Sequence, residues 1–355
     1  SSDVCSSDLK KFLSIALALL MVCVMLPVVA LAAEKTASTY EELKSAISTA
    51  NDGDTIKLLA DIDLSQTITV NKTITLNMNG KKLYNTSDLW DKPTAEANNW
   101  SLISVRGSGN LTITGNGTFA AKENDCYAVD VQESATVTIK NGTFIGNIHA
   151  VYVFAGTANV EGGTYSVQQK YPDSAKGDEF VLNCYDANRA NGTARINVTG
   201  GTFKNFNPAD NKAEGEGNNF ADNSLVVQKN NTVQNNDYYV GNAANEVIAA
   251  ASKGEEIFVL NGTTLTNVPA GVIIQNRTGD RITVNGKDVE LTGDAGYTVP
   301  ASNITIIVPG DTTPAETPKT EDQKNPSTGA NDFVGLAAAA AVVALLGSAV
   351  VLRKK

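Results

Sequence analysis

Apolar and polar positions alternate with a period of two in short runs, and one such run recurs four times. Leu-Thr-Ile-Thr-Gly-Asn-Gly-Thr-Phe (111–119), Val-Thr-Ile-Lys-Asn-Gly-Thr-Phe (137–144), Ala-Asn-Val-Glu-Gly-Gly-Thr-Tyr (158–165) and Ile-Asn-Val-Thr-Gly-Gly-Thr-Phe (196–203) share one form. Each begins as a strand, with Leu111/Ile113, Val137/Ile139, Ala158/Val160 and Ile196/Val198 facing one way and Thr112, Thr138, Asn159 and Asn197 the other. The Asn-Gly or Gly-Gly pair then supplies the positive-φ residues of a tight bend. The glycine before each threonine falls at 117, 142, 163 and 201, giving spacings of 25, 21 and 38 residues. The last unit is lengthened by an insertion around 166–180.

One unit is too short to bury its own apolar face. Stacking units one strand apart, about 4.8 Å, makes a continuous core. Repeats of this length without a helical period predict an all-β fold, a parallel β-helix whose rungs run over 55–230. Phe119, Phe144, Tyr165 and Phe203 are then expected to stack inside it as a ladder. Upstream, Ser38-Thr39-Tyr40-Glu41 reads as a capping box opening a short helix with Leu43, Ala46, Ile47 and Ala50 on one face. A helix there covers an exposed solenoid end. The helix–turn–strand pattern recurs, because 250–260 aligns with 49–59, so 240–308 is a second small unit or a closing cap.

The pattern Glu-Leu…Ala-Ile…Ala-Asn-Asp-Gly-Asp-Thr-Ile-Lys-Leu, followed by Ile-Thr-Leu-Asn-Met-Asn-Gly-Lys-Lys-Leu, resembles the N-terminal unit of secreted bacterial proteins with pectate-lyase-like right-handed β-helices. The likeness covers about 38–230, within a capping-helix and β-helix region of 34–239. It implies the fold and raises the question of activity on acidic polysaccharide.

The two ends carry a different signal. Lys10-Lys11, the apolar Phe12–Ala30 and the small-x-small Ala30-Leu31-Ala32 read as a signal peptide over 1–33, with 1–9 extraneous to it. At the other end stand Asn325-Pro326-Ser327-Thr328-Gly329, the uncharged 20-residue run Phe333–Leu352, and Arg353-Lys354-Lys355. As a helix that run spans roughly 30 Å of hydrocarbon, and the cations hold its end on the cytoplasmic side. The arrangement over 325–355 resembles the LPxTG-type cell-wall sorting signal of Gram-positive surface proteins, with Asn325 in place of leucine. By that resemblance sortase cuts after Thr328 and joins it to peptidoglycan. The run would be a transient transmembrane sorting helix, and the mature protein would be secreted and covalently attached to the cell wall. A plain transmembrane anchor is the alternative. Residues 309–324, with Pro309, Pro314 and Pro318, read as a solvated linker.

Removing both ends takes away five cations and three acids, so the formal net charge of −10 becomes −12. An acidic surface argues against nucleic acid as a partner. Of four cysteines, Cys126 and Cys184 remain and are expected as buried free thiols.

The candidates for chemistry are sparse. Hydrolysis of glycosides needs two carboxyls at a fixed separation, whereas Asp125, Asp130, Glu133 and Asp186 are scattered singly. His149, the only histidine, is expected on a rung beside Tyr127-Ala128-Val129, within approach of Asp125 or Asp130. Asn51-Asp52-Gly53-Asp54 lacks the further ligands of a calcium loop. No cofactor or metal is expected. Loops 84–100, 166–180 and 204–223 break the repeat, and binding function concentrates in such loops. Trp90 and Trp100 lie in the first and are the candidate ligand contacts. The expected function is a surface-display scaffold or adhesin whose partner is a glycan or a host or neighbouring-cell surface protein. A wall-attached polysaccharide lyase or glycoside hydrolase is the alternative.

Overall fold

The computed structural model describes residues 32–90, 100–169, 180–210, 218–229, 236–290, 293 and 295–301. Most of the expected signal peptide (1–33), the proline-rich stretch 309–324, and the expected sorting signal 325–355 with its apolar run lie outside the described residues. No described helix is long and apolar enough to cross a membrane.

The chain is mostly β. It opens with strand β1 (Glu34–Ala37) and helix α1 (Tyr40–Ser48), and then winds in coils of three strands. The first coil is β2 (Thr55–Leu58), β3 (Ile62–Asp63) and β4 (Ile68–Val70); the second is β5 (Thr73–Asn77), β6 (Lys82–Tyr84) and β7 (Ser101–Val105). The third is β8 (Asn110–Thr114), β9 (Thr118–Ala120) and β10 (Tyr127–Val131); the fourth is β11 (Thr136–Ile139), β12 (Thr143–Gly146) and β13 (Val151–Val153). The fifth is β14 (Gly156–Val160), β15 (Thr164–Val167) and β16 (Leu182–Cys184). A short helix α2 (Asp186–Ala190) then leads to β17 (Ala194–Val198) and β18 (Gly201–Lys204).

First strands stack on first strands, β1-β2-β5-β8-β11-β14-β17, and third on third, β4-β7-β10-β13-β16. Second strands stack from β3 to β18. All these pairs are parallel. This is a solenoid in which every coil adds one strand to each of three walls.

The repeated threonine-aromatic step fixes the register. Phe119 pairs with Phe144, Phe144 with Tyr165, and Tyr165 with Phe203. Their rings are fully buried and stack at 4.8, 5.1 and 5.0 Å with interplanar angles of 10–13°. Each such contact adds about 0.5–1.5 kcal/mol beyond the area it buries. The bend before the ladder needs glycine: φ is +115°, +99° and +121° at Gly142, Gly163 and Gly201. The first unit differs, since its positive φ of +78° falls at Gly115. Outside, Thr112, Thr138, Asn159 and Asn197 form a row in register, and Asn197 Nδ2 donates to Asn159 Oδ1 at 2.9 Å.

The expectation of parallel rungs as far as 230 is corrected. The parallel stacking of the solenoid walls ends at β18, which pairs antiparallel with β20 (Asp237–Val240); β20 pairs antiparallel with β19 (Val226–Lys229). Helix α3 (Asn242–Ala249) follows, then β21 (Glu256–Asn261), β22 (Thr264–Leu265), β23 (Ile273–Asn276), β24 (Ile282–Val284), β25 (Lys287–Val289) and β26 (Tyr297–Thr298). This part has its own apolar core around Val227, Ile248, Val259 and Ile274, separate from the solenoid core. The capping box also sits one residue later than expected. Thr39 caps α1 by accepting from Glu42 N at 3.2 Å, while the Glu42 carboxylate accepts from Ser38 N at 2.7 Å.

Candidate functional site

The third wall, β4-β7-β10-β13-β16, positions the candidate site. Its central strands β7 and β10 are buried on both faces, unlike the alternating first wall. Val129 and Val131 belong to the core, so Asp130 between them points outward, in register with Ser104 on one side and Tyr152 on the other. Tyr152 pairs in turn with Asn183. A row of Ser104, Asp130, Tyr152 and Asn183 therefore crosses the wall.

The described start of the Trp-bearing loop, 84–90, lies against this wall, and Asp125 holds it there. The Asp125 carboxylate accepts from Asn85 Nδ2 at 2.6 Å, from Leu89 N at 2.9 and 3.0 Å, and from Trp90 N at 2.9 Å. Asn85 Oδ1 accepts from Lys122 N at 2.8 Å, and the Leu89 side chain is buried. The Lys122–Asp88 ion pair at 2.6 Å is exposed, so it contributes little. So placed, Trp90 keeps 39 % of its surface exposed, stacks on half-buried Trp100 at 6.0 Å and 25°, and meets the edge of Tyr127 at 5.3 Å. The rings continue along the wall: Tyr127 lies 4.4 Å from His149 and 5.3 Å from Tyr152, and His149 stacks on Tyr152 at 5.0 Å.

His149 is beside Tyr127 as the repeat register requires, but its hydrogen bond goes elsewhere. Its Nδ1 donates to the Phe180 carbonyl at 2.8 Å. Burial holds its pKa down to about 4, so the ring is neutral at pH 7. Burial also pushes Asp130 up to about 6, against the pull of Arg106 and of Ser104, whose hydroxyl donates to Asp130 Oδ2 at 3.2 Å. Asp130 is 0 % exposed, and its Oδ1 has no hydrogen-bond partner. Cys126 and Cys184 are buried and not in a disulfide, and burial pushes the Cys126 thiol up.

Tyr127, His149, Ser104 and Asp130 are buried, whereas Trp90 is exposed and Trp100, Tyr152 and Asn183 are half-buried, so the surface offered to a ligand is chiefly the indole of Trp90. Asn51-Asp52-Gly53-Asp54 holds no metal geometry. Asp54 accepts from Ala33 N and Asn51 N at 2.9 Å, and Asp52 accepts from Thr73 N at 3.0 Å. Among the described residues no group of three His, Cys, Asp or Glu is arranged to hold an ion. The outer half of the Trp loop, 91–99, and residues 170–179 and 211–217 of the other two loops lie outside the described residues, as do Asn325–Gly329. Reading the sequence alone singled out Trp90 and Trp100 but missed Tyr127 and Tyr152 as their extension. The signal available was the register Val129 to Val151, which sets an aromatic on each of two neighbouring rungs. Comparison with protein-family models, with curated proteins and with solved structures returns no match.

Proposed function

We propose that this is an extracellular surface protein, covalently attached to the cell wall through Thr328, whose solenoid displays an aromatic glycan-binding face. The solenoid is read as a right-handed parallel β-helix, the hand that connections between parallel strands adopt almost without exception. Support for anchoring comes from the sequence: the pentapeptide Asn325–Gly329, the apolar run and the basic end stand in the order a sortase substrate requires. Support for binding comes from one observation. Trp90 is exposed, yet its backbone N–H is fixed by Asp125 and its ring lies against Trp100 and Tyr127. A fixed exposed indole gives contact area at low ordering cost, and the C–H face of a pyranose is its natural complement.

The anchoring test is fractionation of cells that express the chain. Release by muramidase, abolished by Thr328→Ala, supports sortase attachment; release by mild detergent replaces it with a transmembrane anchor. For binding, the muramidase-released protein is screened on a glycan array and against surface proteins. Trp90→Ala is expected to weaken glycan binding by about tenfold or more, the scale of an aromatic hot spot. Binding to a protein alone would move the reading to a protein-directed adhesin. The lyase or hydrolase reading draws on the raised Asp130 carboxyl. Incubation with pectin, polygalacturonate and hyaluronan, with and without calcium, tests it: products above a boiled control would establish it.

A further inference from the structure

At the far end of the stack β16 and β17 are the last strands of their walls, and α2 joins them. A cavity of about 290 Å³ lies there. Arg189, from the last turn of α2, and Arg195, from β17, form its cationic side. Asn218 stands with them, and Phe220 and Ile196 supply apolar surface. The walls are held in place. Asn188 Nδ2 donates to the Phe154 carbonyl at 2.6 Å and ties down α2, and Val198 N of β17 donates to the Phe220 carbonyl at 2.8 Å and ties down the 218–221 segment. Phe220 stacks on Phe206 at 6.4 Å, and Phe206 lies 6.2 Å from Phe203, so the cavity rests on the last rings of the internal ladder.

Its hydrogen-bonding is one-sided. Arg189 Nε and Asn218 Nδ2 are buried donors without an acceptor, and Asn218 is only 6 % exposed. Among the described residues, no carboxylate lines the cavity and neither arginine is in an ion pair. This occurs on a chain with net charge −10. A buried donor left unpaired costs about 1–3 kcal/mol, more when charged, so two lining one cavity mark a place for an acceptor. Guanidinium forks match planar or tetrahedral oxyanions in two-point contacts. The volume sits at the lower end of ligand cavities, roughly 300–1,000 Å³, which limits the occupant to a compact body.

We infer that this cavity binds a small organic oxyanion, a carboxylate or phosphate on a body about the size of one sugar ring. Arg189 and Asn218 supply the buried donors, and Arg195 the second positive charge. The site is separate from the Trp90 face and does not depend on it.

The test is calorimetric titration of the full chain with glucuronate, glucose 6-phosphate and, as the neutral control, glucose. Binding of glucuronate or glucose 6-phosphate at least tenfold tighter than glucose is expected. Whichever binds tighter assigns the source as acidic sugar or phosphate ester. Arg189→Gln and Arg195→Gln should each weaken it by about tenfold, and Asn218→Leu should do so without altering net charge. Trp90→Ala should leave it unchanged, so failure of the aromatic face and failure of this cavity are told apart. Equal affinity for glucose, or an Arg189→Gln chain with an unchanged melting midpoint and unchanged anion affinity, would overturn the inference.

Discussion

Helix α1 hands its chain to β2 through Asn51-Asp52-Gly53-Asp54, and helix α3 hands its chain to β21 through Ser252-Lys253-Gly254-Glu255. The glycines have φ of +92° and +85°. In both turns the acid after glycine folds back: Asn51 N donates to Asp54 Oδ2 at 2.9 Å, and Ser252 N to Glu255 Oε2 at 2.6 Å. The helix starts differ. Thr39 and Glu42 close α1 with side chains, whereas α3 starts at Gly241, φ +59°, with no side-chain cap. A Cβ at Gly241 would lie 2.1 Å from the Thr199 carbonyl oxygen, so α3 begins where its backbone is pressed against the end of the solenoid. The following strands differ too. β2 lies between parallel neighbours, while β21 lies between antiparallel β19 and parallel β23. Local residues therefore set where each helix stops, and tertiary neighbours set how the next strand pairs.

The largest expected effects test whether the two units serve separate cores. Leu43 of α1 and Ile248 of α3 are both 0 % exposed and belong to different apolar clusters. Leu43→Ala and Ile248→Ala should each cost about 2–5 kcal/mol. Native-state hydrogen exchange should show lost protection in β2 and β5 for the first, and in β21 and β23 for the second. Equal loss throughout for either variant would make the two cores one cooperative unit and dissolve the contrast.

The helix starts come next. Gly241→Ala places a side chain where the backbone is strained, about 1–3 kcal/mol, and adds the collision with Thr199. Thr39→Ala removes an N-cap, about 1 kcal/mol, and Thr39→Asn should restore most of it. Urea midpoints order the two. A Gly241→Ala loss no larger than that of Thr39→Ala would mean close approach does not set the start of α3.

Legibility followed periodicity. The threonine-aromatic step is local, repeats every coil and has one acceptable register, so the ladder from Phe119 to Phe203 could be read directly. The third wall could not, because Ser101–Val105 and Tyr127–Val131 are buried on both faces and lose the alternation that marks a half-exposed strand. The antiparallel turn-back at β19 and β20 left no trace in the repeat, since an edge strand pairs in either direction with similar residues. Arg189, Arg195 and Asn218 meet only because α2 and the 218–221 segment close the same end of the stack. Trp90 was conspicuous as a residue type, but the contact that fixes it, Asp125, reads in sequence as one scattered acid.

The smallest effect separates the two turns by acid and salt. Backbone donation from Ala33, then from Asn51, holds the Asp54 carboxyl below the ordinary range. Glu255 is lowered by the Ser252 N–H and then by Lys229, its ion-pair partner at 3.0 Å. A carboxyl lowered in the folded state binds fewer protons there than when unfolded. Its stabilisation is complete above the unfolded value of about 4 and is lost as pH falls through the folded one. Buried His149 and Asp130 titrate over neighbouring pH values with their own signs, so each turn is isolated as the difference between wild type and variant. Melting midpoints of Asp54→Asn and Glu255→Gln should converge on wild type as pH is lowered from 5 toward 3, an outcome expected at about that range from the carboxyl values. At about 1 M salt, where screening acts within roughly 3 Å, the Glu255 difference should shrink as its lysine contribution fades. The Asp54 difference, carried mainly by backbone N–H groups, should persist. Equal shrinkage of both would mean the two turns are held by the same charge interaction, and the backbone reading of Asp54 would be wrong.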